Sequence, residues 1–321
     1  MKAVTKTAIK PALTVNRWEG MAFTIVYTLL ALLAFLYIVI SYRAADVIVK
    51  YHLTVNPTRY FQTHIIKFAV EFIIWVIIAR SAVRLKMYTH SLKGSKDGEG
   101  LSYIANALFL GLLYSITFTM ASTLKTLFYK TAAFKTVTIL TNLIPIAFVV
   151  VLSVALLIGS MKLNRTGLLQ QVKSLKTEYF TAFILYAAAL LLYGMYLFRV
   201  APSVVDDDGL RHFAERPSRL VLVYVLPYGL AWLIGIIGTI NLAYYAHHVE
   251  GRIYRLLFRD LYSGILLAFT GTFLLQIFTV SELKSNGFGV GLVVFVFLIS
   301  LIIWASTLIY RGTTELYKLE Q

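Results

Sequence analysis

Long runs of apolar residues make up most of the chain, and short polar segments separate them. Each run is close to or above the roughly 20 residues that a helix needs to cross the hydrocarbon core of a bilayer. Lipid offers the backbone no hydrogen-bond partners, so runs of this length are expected to be helical. We predict an all-α bundle of eight transmembrane helices, over residues 21–41, 64–83, 101–123, 136–161, 179–198, 220–245, 261–281 and 287–310.

The composition agrees with this prediction. Of the 321 residues, 59% are apolar and only 14% are charged, whereas about 25% of the residues of an average soluble domain are charged. The connections between the apolar runs are short, so residues 1–321 are predicted to form one transmembrane domain. A soluble enzyme, a disulfide scaffold and a disordered chain are excluded.

The excess of positive charge bears on which partner the protein is expected to bind. The formal net charge is +15, which in a soluble protein would suggest nucleic-acid binding. Here the Lys and Arg residues fall mainly in the segments between apolar runs, a pattern typical of membrane topology signals and of contacts with anionic lipid headgroups. We therefore expect no nucleic-acid partner. The distribution of Lys and Arg favours an N-in, C-in orientation, and a bacterial cytoplasmic membrane suits a Cys-free chain with short loops.

Several kinds of chemistry find no support in the sequence. The chain has no Cys, which excludes disulfides, thiolate nucleophiles and iron–sulfur clusters. No predicted helix contains paired carboxylates, a Ser–His pair or a His-rich group suited to acid–base or metal chemistry. We expect a protein that is not an enzyme and that needs neither a metal nor another cofactor.

Ionisable residues within apolar sequence are concentrated in the second predicted helix. His64, Lys67 and Glu71 have the spacing i, i+3 and i+7, so they share one helix face. An ionised group in the bilayer centre costs about 2.5–3.5 kcal/mol on insertion scales. One reading is that these residues are a ligand- or proton-handling group facing the bundle interior. The alternative is a structural Lys67–Glu71 ion pair at i, i+4, with Lys67 reaching towards the interface.

Polar side chains of other predicted helices lie at a similar depth, in the outer half of the bundle. We predict that they line a cavity open to the outside, together with the residues of the second helix. The alternative is that the Ser and Thr side chains bond within or between helices. The candidate ligand- or ion-binding residues are His64, Lys67, Glu71, Thr119, Asn142, Tyr228 and Gln276.

Small residues recur with helical spacing in the later helices. Gly264, Ala268 and Thr272 have the spacing i, i+4 and i+8, and Gly235 and Gly238 lie close together in the sixth predicted helix. Such stripes let helix backbones approach closely in membranes. We predict close helix packing at these positions.

The last nine residues, 313–321, place Leu316 and Leu319 on one helical face among charged residues. This segment resembles the start of the signalling helix that follows the membrane domain in some bacterial sensor histidine kinases. The phosphoacceptor His box and the ATP-binding domain of those proteins do not occur in this sequence. The resemblance implies a sensor that acts through a partner protein at its C-terminal helix. The alternative is a short charged tail.

Two functional classes therefore remain open. The first is a non-catalytic sensory or ligand-binding membrane module that binds a small molecule. The second is a transporter or permease for a small solute or ion, with His64, Lys67 and Glu71 in the pathway. Ion-coupled transport generally uses more carboxylates within the membrane than the single Glu71, which favours the first class.

Overall fold

The computed structural model describes residues 9–51, 57–92, 94–164, 226–282 and 288–318. These residues form seven α-helices and contain no strand. The helices are α1 (Ile9–Tyr51), α2 (Pro57–Ser91), α3 (Lys96–Leu127), α4 (Phe134–Leu163), α5 (Leu226–His248), α6 (Arg252–Glu282) and α7 (Phe288–Lys318).

Six of these helices form a closed ring. Each helix from α2 to α7 packs against the next one in chain order, and α7 returns to pack against α2. Helix α1 lies outside the ring and packs on α2 and α3. The ring therefore has an interior to which α2 through α7 all contribute.

Contacts between neighbouring helices fix their directions. The start of α3 meets the end of α4, where Gly100 lies beside Leu163, so these two helices are antiparallel. In contrast, α4 and α5 run in the same direction, because Gly238 lies beside Leu157 and the amide of Asn164 donates to the Asn241 carbonyl oxygen at 2.7 Å. Helices α2, α4, α5 and α7 finish at one end of the bundle, and α1, α3 and α6 begin there. We call this end the basic end.

Seven of the eight predicted helices have a counterpart among the described helices, and each described helix extends beyond the predicted bounds at one end or both. The fifth predicted helix, residues 179–198, and the first residues of the sixth lie outside the described residues. Apolar runs mark the part of a helix that suits lipid, whereas a helix continues through polar helix formers until a breaker or cap ends it. Ser95 caps α3 by accepting from the Gly98 N–H at 2.9 Å, and Gly251, at a φ of +92°, precedes α6.

Five of the described helices are long and apolar enough to cross a membrane, namely α1, α3, α4, α5 and α7. Large apolar side chains on their outward surfaces are exposed. Phe35 is 68% exposed, Phe297 61% and Trp304 59%. Soluble monomers rarely expose a continuous apolar surface of this kind, and lipid is the solvent that suits it.

Glycines allow the closest approaches between ring helices. A Cβ added to Gly264 would lie 2.7 Å from the Ala305 carbonyl oxygen, and one added to Gly159 would lie 2.7 Å from that of Gly100. Gly235 and Gly238 are similarly tight against α6 and α4. The close packing predicted at Gly264, Gly235 and Gly238 is confirmed.

Ion pairs hold the helices together at the basic end. Arg311 of α7 donates through Nε to the buried Asp260 of α6 at 2.6 Å, and Lys162 of α4 lies 2.6 Å from Glu99 of α3. Helix α7 continues to Lys318, and Leu316 and Tyr317 near its end are buried. The described part of the C-terminal segment thus packs within the bundle, and its resemblance to a signalling helix stays a prediction.

Candidate ligand-binding site

The helix ring surrounds a partly open cavity of about 150 Å³. All six ring helices contribute to its wall, and α3 contributes the most residues. The side chains that line it are Glu71, Ile74 and Ile78 of α2; Ala107, Leu108, Gly111, Tyr114, Ser115, Phe118 and Thr119 of α3; Val149 and Leu152 of α4; Trp232 of α5; Ile265, Ala268, Phe269 and Thr272 of α6; and Ile299, Ile302, Ser306 and Ile309 of α7.

The cavity wall is almost entirely apolar. Aliphatic side chains form most of it, and the Trp232 and Phe269 rings meet edge to face with their centroids 4.6 Å apart. Glu71 is the one charged side chain among the described residues of the wall. A ligand would therefore meet a hydrophobic enclosure with a single carboxyl group.

A short hydrogen-bonded group between α2 and α3 positions that carboxyl. The Thr119 hydroxyl lies 2.5 Å from Glu71 Oε2, and one turn away along both helices Trp75 Nε1 donates to Ser115 Oγ at 3.0 Å. Glu71 and Trp75 are four residues apart on α2, as are Ser115 and Thr119 on α3. Because the two helices are antiparallel, equal steps along each bring both pairs into register.

The hydroxyl of Thr119 lies within hydrogen-bond distance of two acceptor oxygens. Besides Glu71 Oε2, it lies 2.8 Å from the Ser115 carbonyl oxygen of its own helix. A hydroxyl has one proton, so these two acceptors share a single donor. The carboxyl of Glu71 is buried, with 9% of the residue exposed, and has lone pairs for more than one donor. A donor group of a ligand in the cavity would therefore share this carboxyl with the partners that it already has.

The structure brings together two of the residues predicted from the sequence, Glu71 and Thr119. Tyr228 is half-buried on α5, packs against the main hydrophobic core and is not part of the described cavity wall. The other four candidates lie on helix backbones, but their side chains fall outside the described part of the structure. These four are His64 and Lys67 on α2, Asn142 on α4 and Gln276 on α6.

Other polar residues at a similar depth bond to their own helices. Thr117 donates to the Leu113 carbonyl oxygen at 2.9 Å and Thr141 to that of Val137 at 2.7 Å. A hydroxyl can satisfy itself in this way within a helix, so polarity along a helix does not by itself mark a cavity. Ser115 and Thr119 line the enclosure, and Thr117 does not.

The apolar residues of the wall could not be singled out from the sequence. Trp232, Phe269 and Ile309 lie in helices that are apolar throughout, and nothing in their spacing distinguishes a cavity from tight packing. Trp75 lies one turn from Glu71 on the same helix face, but its Ser115 partner depends on the α2–α3 register. The sequence signal that was available is the single carboxylate in an apolar helix.

The contact between Glu71 and Thr119 leads to a testable prediction. Replacing Thr119 by Val keeps the shape of the side chain but leaves a buried carboxyl without one of its donors, which costs about 1–3 kcal/mol. We expect Thr119→Val to lower the free energy of unfolding by that amount and Thr119→Ser to lower it much less. Thermal unfolding of the purified protein in detergent measures both, and equal midpoints for the two variants would contradict the prediction.

Comparison with protein-family models, with curated proteins and with solved structures finds no match to this chain. Within the residues that the structure describes, no three His, Cys, Asp or Glu side chains come together as metal ligands. The functional argument therefore depends on the cavity, its one carboxyl group and the surface of the bundle.

Proposed function

We propose that the chain is an integral membrane protein of eight transmembrane helices with an N-in, C-in orientation. The five apolar helices and the exposed apolar side chains support membrane integration.

Two neighbouring helices that run in the same direction need an odd number of membrane crossings between them in the chain. Helices α4 and α5 are such neighbours, and the fifth predicted helix, residues 179–198, would supply the crossing. The basic end would then face the cytoplasm, in agreement with the positive-inside rule. A bacterial cytoplasmic membrane remains the proposed location.

We propose further that the helix ring binds a small ligand with an apolar body and one cationic or hydrogen-bond-donating group. The observation that supports this is the apolar enclosure of about 150 Å³ with Glu71 in its wall. An apolar cavity of this volume holds a benzene-sized molecule in another protein. A ring-sized amine such as benzylamine matches both the volume and the carboxyl group.

The proposed role of this binding is sensory. Helix α7 lines the cavity with Ser306 and Ile309 and continues without a break to its buried end at Leu316 and Tyr317. A ligand that displaces α7 in the cavity would therefore also shift its contacts at the basic end. A signalling partner at the C-terminal helix would receive that change.

Transport of the same ligand is the second candidate function, and the buried carboxyl of Glu71 favours it. A carboxyl group inside a helix bundle is a common feature of solute and proton pathways. Measuring the flux of benzylamine into proteoliposomes distinguishes a sensor from a transporter. A sensor binds benzylamine without moving it into proteoliposomes, whereas a transporter accumulates it and loses that activity in Glu71→Gln.

Binding of benzylamine and of toluene by the purified protein, followed by calorimetric titration, tests the proposal. Gly111 lies in the cavity wall, and a Cβ added there would contact Leu152 at 3.7 Å without a clash, so the Gly111→Val side chain would take up cavity volume. We expect Gly111→Val to abolish binding of both compounds while the thermal midpoint stays equal or rises. We expect Glu71→Gln to weaken benzylamine about tenfold or more and to leave toluene nearly unchanged.

The matched control is Gly229→Ala, which adds a methyl group to α5 where no atom of the described residues lies within 4 Å. It should bind both compounds as the wild type does. Equal binding by the wild type and by Gly111→Val would show that the compounds bind elsewhere and would overturn the proposed site. No binding of either compound by the wild type would also count against it.

A further inference from the structure

Two arginines of α2 share one aromatic ring near the basic end. Arg80 and Arg84 are one helical turn apart, and their guanidinium carbons lie 5.6 and 5.5 Å from the centroid of the Tyr310 ring of α7. Arg80 also lies 5.8 Å from the centroid of the Phe23 ring of α1. Two like charges are thus held within one turn, at the place where α1, α2 and α7 come together.

The guanidinium of Arg80 has unused donors. Within the described residues it makes no hydrogen bond and no ion pair, and its buried Nε has no partner. Contact with aromatic rings occupies the faces of a guanidinium and leaves its N–H groups directed outward in its plane. Those N–H groups form the fork that binds the oxygens of a phosphate or carboxylate.

The neighbouring hydroxyls can donate in the same place. Arg84 Nη1 donates to Tyr310 OH at 3.2 Å and to Thr314 Oγ1 at 2.7 Å. Each hydroxyl accepts from Arg84 and still carries its own proton, for which the structure shows no acceptor among the described residues. The cluster of Arg80, Arg84, Tyr310 and Thr314 is therefore rich in donors.

The described acidic side chains of α6 and α7 at the basic end are engaged elsewhere. Asp260 pairs with Arg311, and Glu315 accepts from Lys318 at 2.7 Å. Neither ion pair includes Arg80. The cluster thus combines positive charge, hydroxyl donors and aromatic walls, and an anion with several acceptor oxygens matches this donor set.

We propose that Arg80, Arg84, Tyr310 and Thr314 bind a phosphate group. The group could belong to an anionic phospholipid or to a small soluble phosphate. Phe23 lies three residues beyond Gly20, where the apolar segment of α1 begins, which is the level of the headgroups in the membrane placement proposed above. The lipid source rests on that placement, whereas the phosphate chemistry does not.

Native mass spectrometry of the purified protein tests the proposal by measuring retained phosphatidylglycerol against phosphatidylcholine. Arg80→Gln removes the charge and the fork without breaking a hydrogen bond of the fold. The matched control is Arg255→Gln, which removes one charge from an exposed position in the first turn of α6. We expect Arg80→Gln to lower the affinity for phosphatidylglycerol tenfold or more, and Arg255→Gln to change it less than twofold.

Addition of inorganic phosphate or glycerol 3-phosphate distinguishes the two sources. Selective retention of phosphatidylglycerol that millimolar glycerol 3-phosphate does not displace supports a lipid headgroup. Displacement, or thermal stabilisation by either soluble phosphate that disappears in Arg80→Gln, supports a soluble phosphate. Tyr310→Phe keeps the ring and removes one donor, so it should weaken binding severalfold even if Arg80→Gln folds poorly.

Equal losses in Arg80→Gln and Arg255→Gln would mean that only the general positive charge attracts the lipid, and would overturn the site. Retention of phosphatidylglycerol and phosphatidylcholine to the same extent, without an effect of soluble phosphate, would also overturn it. None of these readouts uses the cavity, so they are independent of the amine-binding proposal.

Discussion

Gly264→Ala is expected to unfold at a markedly lower temperature than the wild type, although alanine is the better helix former by about 1 kcal/mol. The added Cβ would lie 2.7 Å from the Ala305 carbonyl oxygen and 2.9 Å from the Ile309 backbone nitrogen. Both atoms belong to the backbone of α7 and cannot move without displacing that helix. Overpacking of this kind costs about 1–3 kcal/mol, so after the gain in helix propensity we expect a net loss of about 1 kcal/mol. Tryptophan fluorescence during heating in detergent measures it.

Gly229→Ala is the matched control for this prediction. Among the parts of the chain that the structure describes, no atom lies within 4 Å of a Cβ at Gly229 in α5, so the helix gains propensity without a clash there. We expect its thermal midpoint to be equal to or above that of the wild type. A midpoint of Gly264→Ala that matches the control would mean that α6 and α7 do not meet as closely as described.

Arg311→Gln is expected to destabilise the bundle by about 2 kcal/mol, because it leaves the buried carboxylate of Asp260 without its main partner. A hydrogen bond to a charged group contributes about 1.5–3 kcal/mol. Arg259 Nη2, 4.0 Å from the other carboxylate oxygen of Asp260, is too far to replace the 2.6 Å contact. Adding Asp260→Asn to Arg311→Gln removes the buried charge, and we expect the double variant to recover part of the loss.

A double-mutant cycle on Asp260 and Arg311 measures this coupling. The exposed Lys318–Glu315 pair of the same helix serves as the control. Exposed ion pairs contribute little, so Lys318→Gln should stay within about 0.5 kcal/mol of the wild type. Strictly additive effects of the Asp260 and Arg311 substitutions would contradict the prediction.

The helical class of this fold was predictable because lipid leaves the backbone few alternatives. The small-residue spacing at Gly264 also predicted a close contact correctly, since a glycine on a helix face affects packing through local geometry alone. The identity of the partner helix was not predictable. Apolar runs are chemically alike, and nothing in them indicates that α7 packs against α2 or that α1 lies outside the ring.

The candidate site was predictable only through its charged member. Glu71 stood out because a carboxyl in an apolar helix is costly, and Thr119 was one of several polar residues at a similar depth. Whether Thr119 or Thr117 faces the cavity depends on the rotation of α3 about its axis and on the α2–α3 register. Contacts between the helices determine both, and composition does not. The apolar wall gave no sequence signal, because side chains around a cavity are of the same types as side chains in a filled core.

The contact that closes the ring joins residues far apart in the chain, since Arg84 and Thr314 are separated by 230 positions. During synthesis, α2 through α6 can pair with their chain neighbours as each one appears, but the last wall of the cavity is missing until α7 has entered. Until then the carboxyl of Glu71 lies on an open face of the assembling bundle. The cavity therefore forms only once α7 has packed against α2, a helix that is made much earlier.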